Sequence, residues 1–154
     1  LWRSQPKKIA YFWQIQDPGN AGTVIRTADA CGFDAIIFSD NSVDIFNPKT
    51  IRATVGSLWH IPVITDVEIA DFIKQSQDNG FKSFALMGQG DLMLNKDLLA
   101  SCGDKNLWIF GNEARGLPEL PESVDSVRIP MKGHAESLNV ASAAAIVMHL
   151  VGVN

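Results

Sequence analysis

Long apolar runs, paired cysteines and clustered metal ligands are all missing from this sequence, and each absence removes a class of protein. No apolar stretch approaches the roughly 18 residues that span a bilayer, and Leu1-Trp2-Arg3-Ser4 has the form of neither a signal peptide nor an amphipathic presequence. A cytoplasmic location is the resulting expectation. The two cysteines, Cys31 and Cys102, lie far apart without secretory signals, so a disulfide framework and a CxxC redox or zinc site both fall away and buried thiols are expected. His60, His134 and His149 show no ligand spacing and no accompanying cluster of Asp or Glu, so no metal is expected. Positive charge is also scarce: the net charge is -4, which argues against a chain coated for nucleic acid but is compatible with a local basic patch. What is present is the balance of one compact α/β-type domain, 154 residues with 46% hydrophobic and 19% charged, enough to bury a sizeable core. The first residue is not Met, which leaves room for residues or a whole domain upstream.

Periodicity and turn signals divide the chain into alternating strands and helices. Apolar runs predict strands at 8–14, 35–38, 61–65, 81–87, 107–110 and 126–129. Ala21, Val24, Ile25 and Ala28 fall at i, i+3, i+4 and i+7, which predicts a helix with Asn20 near its N-cap, Arg26 off the apolar stripe and Cys31-Gly32 as its stop. Further helices are expected at 48–55, opened by Pro48, and at 69–77, 92–101 and 138–151. The alternation predicts one domain, a mostly parallel sheet with helices on both faces. The last helix is apolar almost all round, which leaves a face for a homodimer contact, or for burial within its own domain.

Three polar motifs stand at strand ends or helix starts. Asp17-Pro-Gly-Asn20 through Arg26 sets an amide, a helix N-terminus and a guanidinium within two turns, suited to an anion, while Asn20 is equally an ordinary cap. Phe110-Gly-Asn-Glu-Ala-Arg-Gly-Leu-Pro118 follows a buried strand and puts Glu113 where open parallel sheets bind ligands, although a solvated glutamate reads the same way. In Ile129-Pro-Met-Lys-Gly-His-Ala-Glu-Ser-Leu-Asn139, Ile129 and Met131 are suited to gripping an adenine face, and Ser137 and Asn139 to orienting polar groups. The plain alternative makes Ser137 the N-cap of the last helix, Asn139 a first-turn residue and Met131 core. Gly88-Gln-Gly-Asp-Leu-Met93 lacks the third glycine of a dinucleotide fingerprint, and neither a P-loop nor a GxSxG elbow occurs.

Taken in order, N-x-G-x-x-x-R at Asn20–Arg26, FGNEARGL at 110–117 and IPM-x-G-x-x-E-S-L-N at 129–139 resemble motifs 1, 2 and 3 of the SpoU family, within the SPOUT superfamily of RNA methyltransferases. The likeness runs through nearly the whole chain, including Phe46-Asn-Pro-Lys49 and 52–62. It implies a homodimeric α/β domain, paired through its C-terminal helix, whose C-terminal part is threaded into a deep trefoil knot. It implies transfer of a methyl group from S-adenosyl-L-methionine to a ribose 2′-hydroxyl of RNA, with ribosomal RNA favoured over tRNA and no metal required. Gly111, Ile129 and Leu138 would hold the cofactor mainly through their backbones, with Phe110, Asn112, Met131 and Met87 around them. Asn20, Arg26, Glu113, Ser137 and Asn139 would form the catalytic group. Arg26 is the base usually proposed in that family, but a guanidinium is a poor proton acceptor. Its expected role is to hold a phosphate and stabilise the developing alkoxide. Arg26, Arg52, His60, Arg115 and Lys132 are candidates for RNA contact, each equally a surface residue. Many members carry an N-terminal RNA-recognition domain, which would lie outside this chain. A non-catalytic RNA-binding module, or a SPOUT enzyme acting on a base, remain beside this reading.

Overall fold

A computed structural model describes residues 1–154. Its elements are β1 (Lys8–Phe12), α1 (Pro18–Ala30), β2 (Ala35–Phe38), α2 (Pro48–Thr54), β3 (Val63–Ile64), α3 (Ile69–Asp78), β4 (Lys82–Leu86), β5 (Leu92–Met93), α4 (Lys96–Ser101), β6 (Asn106–Phe110), β7 (Val124–Arg128) and α5 (Val140–Gly152). The seven strands form one sheet in the order β3-β2-β1-β6-β4-β7-β5, and every pairing is parallel.

The central strands are apolar on both faces because helices cover both. Alternation along each strand divides the core in two. Ala10, Phe12, Ile36, Phe38, Phe84, Trp108 and Phe110 face α1, α4 and α5, while Ile9, Tyr11, Ala35, Ile37, Ala85, Leu107 and Ile109 face α3. On the first side, rings stack across neighbouring strands: Phe12 lies 5.8 Å from Phe38 and 4.8 Å from Phe110, and Phe84 lies 4.8 Å from Trp108. Such pairs add about 0.5–1.5 kcal/mol each beyond their buried area, and they stiffen the strands that end at the cleft described below.

Four local expectations are corrected. Asn20 is not the cap of α1; Asp17 is, its side chain accepting from Asn20 N at 2.9 Å, with Pro18 at the first helical position. An Asp-Pro pair supplies both the capping oxygen and a preset φ, so the helix begins earlier than its apolar stripe. The 92–101 segment is not a single helix: Leu92 and Met93 form an edge strand on Val127 and Arg128, and Asn95 caps α4 through a 2.9 Å bond from Leu98 N. Short apolar runs do not discriminate strand from helix, and here the unpaired edge of β7 decides. Asn139, rather than Ser137, caps α5, accepting from Ala141 N at 2.8 Å and Ser142 N at 3.2 Å. Finally, the strand expected at 61–65 shortens to Val63–Ile64, and the one expected at 126–129 runs over Val124–Arg128.

α1 lies between α2 and α5 on one side of the sheet, and two glycines permit the contacts. A Cβ on Gly22 would sit 2.4 Å from Ala53 Cβ and 2.6 Å from Thr50 O of α2, and one on Gly152 would sit 2.4 Å from Cys31 O at the end of α1. Gly22→Ala is therefore expected to lower unfolding free energy by about 1–3 kcal/mol through overpacking, measured by urea denaturation. Burial pushes the Cys102 thiol up to about 11, so at pH 8 it should resist alkylation until the protein unfolds, which mass spectrometry with and without denaturant will read.

Candidate active site

At the carboxyl ends of β4 and β6 the chain leaves the sheet in loops, next to β1, where the strand order changes direction. Open parallel sheets form crevices at such places. Here the crevice is a cleft of about 460 Å³ walled by Leu86, Met87 and Gly88 after β4, by the 110–117 loop after β6, and by Ile129, Met131, Ser137, Leu138, Val140 and Ala143.

The 110–117 loop owes its shape to Asn112, whose buried side chain is bonded at both its oxygen and its nitrogen. Its Nδ2 donates to Gln14 O at 2.7 Å, and its Oδ1 accepts from Ala114 N and Arg115 N, both at 2.9 Å. Asn112 and Gly116 exchange two backbone hydrogen bonds at 2.9 and 3.0 Å. Gly111 must lack a side chain, because a Cβ there would lie 2.6 Å from Gly116 C. This small closed loop aims Glu113 and Arg115 in different directions. Glu113 lies at the start of α1, where its carboxylate accepts from Gln16 N at 3.3 Å, Asp17 N at 3.3 Å and Asn20 Nδ2 at 3.5 Å. Those are long hydrogen bonds, and the attraction also draws on the positive end of the helix. The anion expected at the start of α1 is thus, within this chain, the protein's own carboxylate.

Asn20 links the other two motifs. While its amide donates to Glu113, its Oδ1 accepts from Asn139 Nδ2 at 3.2 Å. A second pocket of about 550 Å³ opens over this chain of amides, lined by Gln16, Asp17, Asn20 and Asn139, and it shares Asn112, Glu113, Ala114, Ser137, Leu138 and Val140 with the first. An apolar cleft and a polar pocket therefore meet at Glu113 and Ser137.

From Ile129 to Leu138 the chain makes no hydrogen bond to the rest of the protein, by backbone or side chain. Residues 130–139 are all exposed. Residues 129–138, with unpaired carbonyls and, Pro130 aside, unpaired amides beside an apolar cleft, are suited to reading a ligand's polar edge, since unmet backbone groups seek partners.

All seven residues that the resemblance implied for the cofactor, Met87, Phe110, Gly111, Asn112, Ile129, Met131 and Leu138, line the first cleft. Of the five implied for catalysis, Asn20, Glu113, Ser137 and Asn139 line the second. Arg26 does not join them. Gly22, Arg26 and Asp29 share the face of α1 turned toward α2 and His60, and Arg26 lies roughly 120° around the axis from Asn20. Arg26 is exposed and has neither a hydrogen bond nor an ion pair. Arg52 is exposed on α2 and His60 Nδ1 is 3.3 Å from Asp29 Oδ2, both away from the two pockets. Arg115 and Lys132 stand on the loops around the cleft. Leu86, Val140 and Ala143 line the cleft without having been singled out, because nothing in their pattern separates them from core. Gln14 was missed as well. It adopts φ 47, and its N donates to Ser39 Oγ at 2.7 Å, so it is fixed by backbone geometry that no residue pattern announces.

The class of protein is thereby defined: a parallel α/β domain whose carboxyl edge joins an apolar ligand cleft to a cluster of polar side chains. The chain belongs to the SpoU rRNA Methylase family, whose model matches residues 7–149. It is 39% identical over 149 residues to the 23S rRNA (guanosine(2553)-2'-O)-methyltransferase RlmP of Bacillus subtilis, covering 95% of this chain and 58% of that protein. To the 23S rRNA (uridine(2479)-2'-O)-methyltransferase of Streptomyces viridochromogenes it is 32% identical, covering 90% of this chain and 50% of the relative. Among solved structures, the AdoMet-bound rRNA methyltransferase from Sinorhizobium meliloti superposes with TM-score 0.81 at 34% identity, over 94% of this chain and 55% of that one. The chain thus spans between half and three-fifths of these relatives.

Asn139 has two separable jobs. Asn139→Ala should lower stability by about 1 kcal/mol through loss of the α5 cap, whereas Asn139→Asp should keep the cap and lose only the donor to Asn20. Thermal melts of the two variants will separate them, with Asn139→Asp remaining close to the parent.

Proposed function

We propose that this chain is the catalytic domain of an enzyme that transfers a methyl group from S-adenosyl-L-methionine to a ribose 2′-hydroxyl of RNA, ribosomal RNA in preference to tRNA. The observation that carries the reading is the shared wall of the two pockets: a cleft suited to the cofactor opens directly onto the Asn20–Glu113–Asn139 cluster. The cleft fits the cofactor by its chemistry. Its apolar lining suits an adenine ring, and the unpaired backbone of residues 129–138 suits the ring's edge. The named relatives support the reaction type, since two are 23S rRNA 2'-O-methyltransferases and a similar structure holds AdoMet.

When bound, the cofactor supplies a sulfonium methyl open to attack by an oxygen nucleophile. The protein's part is alignment and charge. Leu86, Phe110, Ile129 and Leu138 exclude water from the cleft. Glu113, fixed at the start of α1, holds Asn20, and Asn20 with Asn139 presents amides to the target ribose. The Ser137 hydroxyl has no partner within the protein and is free to meet the same nucleotide. Arg26 carries no partner to be displaced and serves the substrate phosphate and the developing alkoxide; a substrate phosphate oxygen takes the proton. Because Arg26 stands outside its own chain's cluster, the reading includes a homodimer in which it is supplied to the site of a second copy. The exposed Ile146 on α5 and Val153 just past its end support pairing through that helix.

Four further parts of the reading rest on the family. The return of the 129–138 segment from β7, beside the 110–117 loop and on to α5 against α1, supports a deep trefoil knot around the cofactor. Arg52, His60 and Lys132 are assigned to RNA outside the reacting nucleotide. Substrate choice is assigned to a further RNA-recognition domain, in keeping with relatives nearly twice the length, and the workplace to the cytoplasm. No helix is long and apolar enough to cross a membrane.

The test is to incubate the protein with labelled cofactor and unmodified ribosomal RNA or bulk tRNA, and to map the product. A 2′-O-methyl nucleotide in ribosomal RNA is expected; methylation on a base, or no transfer together with no cofactor binding, would overturn the proposal. Arg26→Lys should retain measurable activity and Arg26→Ala should lose about 100-fold or more. Complete loss in Arg26→Lys with RNA affinity intact would refute the electrostatic role.

A further inference from the structure

Arg115 is the sole Lys, Arg or His among the 17 residues lining the cleft of about 460 Å³. We infer that its guanidinium anchors the α-carboxylate of the methionine moiety of S-adenosylmethionine, rather than RNA. The inference rests on the cofactor reading above and gives one end of the cofactor a place. An amino-acid ligand brings a carboxylate into the cleft, and a carboxylate buried against apolar walls needs a cation or several donors. The guanidinium fork matches a carboxylate with two parallel N–H donors.

Position and preparation both favour this assignment. Arg115 lines the apolar cleft but is absent from the adjoining pocket around Asn20 and Asn139, where the RNA ribose is proposed to sit. Its backbone N–H is held by Asn112 Oδ1 at 2.9 Å, and its Nη2 donates to Gln14 Oε1. The guanidinium carbon lies 5.5 Å from the centre of the Trp13 ring, within cation–π range. Gln14 is itself tied down, its carbonyl accepting from Asn112 and its N–H donating to Ser39. Trp13 and Gln14 therefore hold the long side chain at the cleft rim before any ligand arrives, which lowers the ordering cost of binding. No acidic side chain forms a salt bridge with Arg115, so its charge is uncompensated and its remaining donors are free. Glu113, two positions earlier, is turned to the amides at the start of α1 and does not neutralise it.

Two ligands separate the carboxylate from the rest of the cofactor. S-adenosylhomocysteine carries the amino-acid end, and 5′-methylthioadenosine keeps the adenosine and the thioether but lacks it. By titration calorimetry, Arg115→Gln should weaken S-adenosylhomocysteine by about tenfold or more and leave 5′-methylthioadenosine unchanged. Arg115→Lys should fall between parent and Arg115→Gln, and Trp13→Leu should weaken S-adenosylhomocysteine alone by a few-fold. Three outcomes would overturn the inference. Equal weakening of both ligands assigns Arg115 to loop shape, and unchanged affinity for S-adenosylhomocysteine with weakened RNA binding assigns it to RNA. Failure of the parent protein to bind S-adenosylhomocysteine at all removes the cofactor reading and this inference with it.

Discussion

The side-chain amide of Asn112 is the constraint on which the site depends. Buried at the sheet edge, it finds partners for its oxygen and its amide nitrogen within the protein, and in doing so joins the β1–α1 connection to the loop after β6. One amide thereby sets the distance between two segments nearly a hundred residues apart. Removing it would leave the N–H groups of Ala114 and Arg115 without partners and take from Gln14 O the shorter of its two hydrogen bonds, the other coming from Gln16 Nε2 at 3.1 Å; a group left unmet away from water costs about 1–3 kcal/mol. Its neighbours inherit their positions from it: Glu113 is turned to the start of α1, and Arg115 to Trp13 and the cleft. The residue implied as a cofactor contact thus acts first as the frame on which the contacting residues are mounted.

The sheet supplies the rigidity behind that frame. Stacked rings of Phe12, Phe38 and Phe110 lock β1, β2 and β6 side by side, and Trp13 N donates to Phe110 O at 2.9 Å where β1 and β6 end. The loops that leave those strands therefore begin from fixed points. By contrast, the segment from Ile129 to Leu138 has no hydrogen bond to steady it. A rigid strand end facing a segment with unmet backbone groups gives a cleft whose far wall is completed by what enters it, an arrangement in which ligand binding and local ordering are linked.

Much of the architecture was legible in the sequence because it follows from period and punctuation. The apolar runs at 35–38 and 107–110 have the length and composition of buried parallel strands, and the Gly and Pro signals fell at their ends. Helix starts were read less well wherever two capping residues competed. Asp17 precedes Asn20, and Asn139 follows Ser137; any of the four is an acceptable cap, so backbone geometry chose between them. The edge strand at Leu92–Met93 was read as helix because its pairing with β7 is a non-local fact. Of the candidate site, the three motifs were visible as motifs, and their residues do gather at one edge of the sheet, with Arg26 as the exception.

What the sequence determined by itself was the alternation of elements, the apolar strands that had to be covered on both faces, and the polar residue types available at their ends. Which of those polar residues meet was decided only by the tertiary structure. Asn20, Glu113 and Asn139 come together because parallel strands bring their carboxyl ends to one edge, whatever their separation along the chain. Arg26, only six positions from Asn20, is carried away from it by the helical repeat. Nearness in sequence and nearness in space are set by different forces: local hydrogen bonding fixes the first helix turn by turn, while burial of apolar surface decides which ends of which elements share an edge.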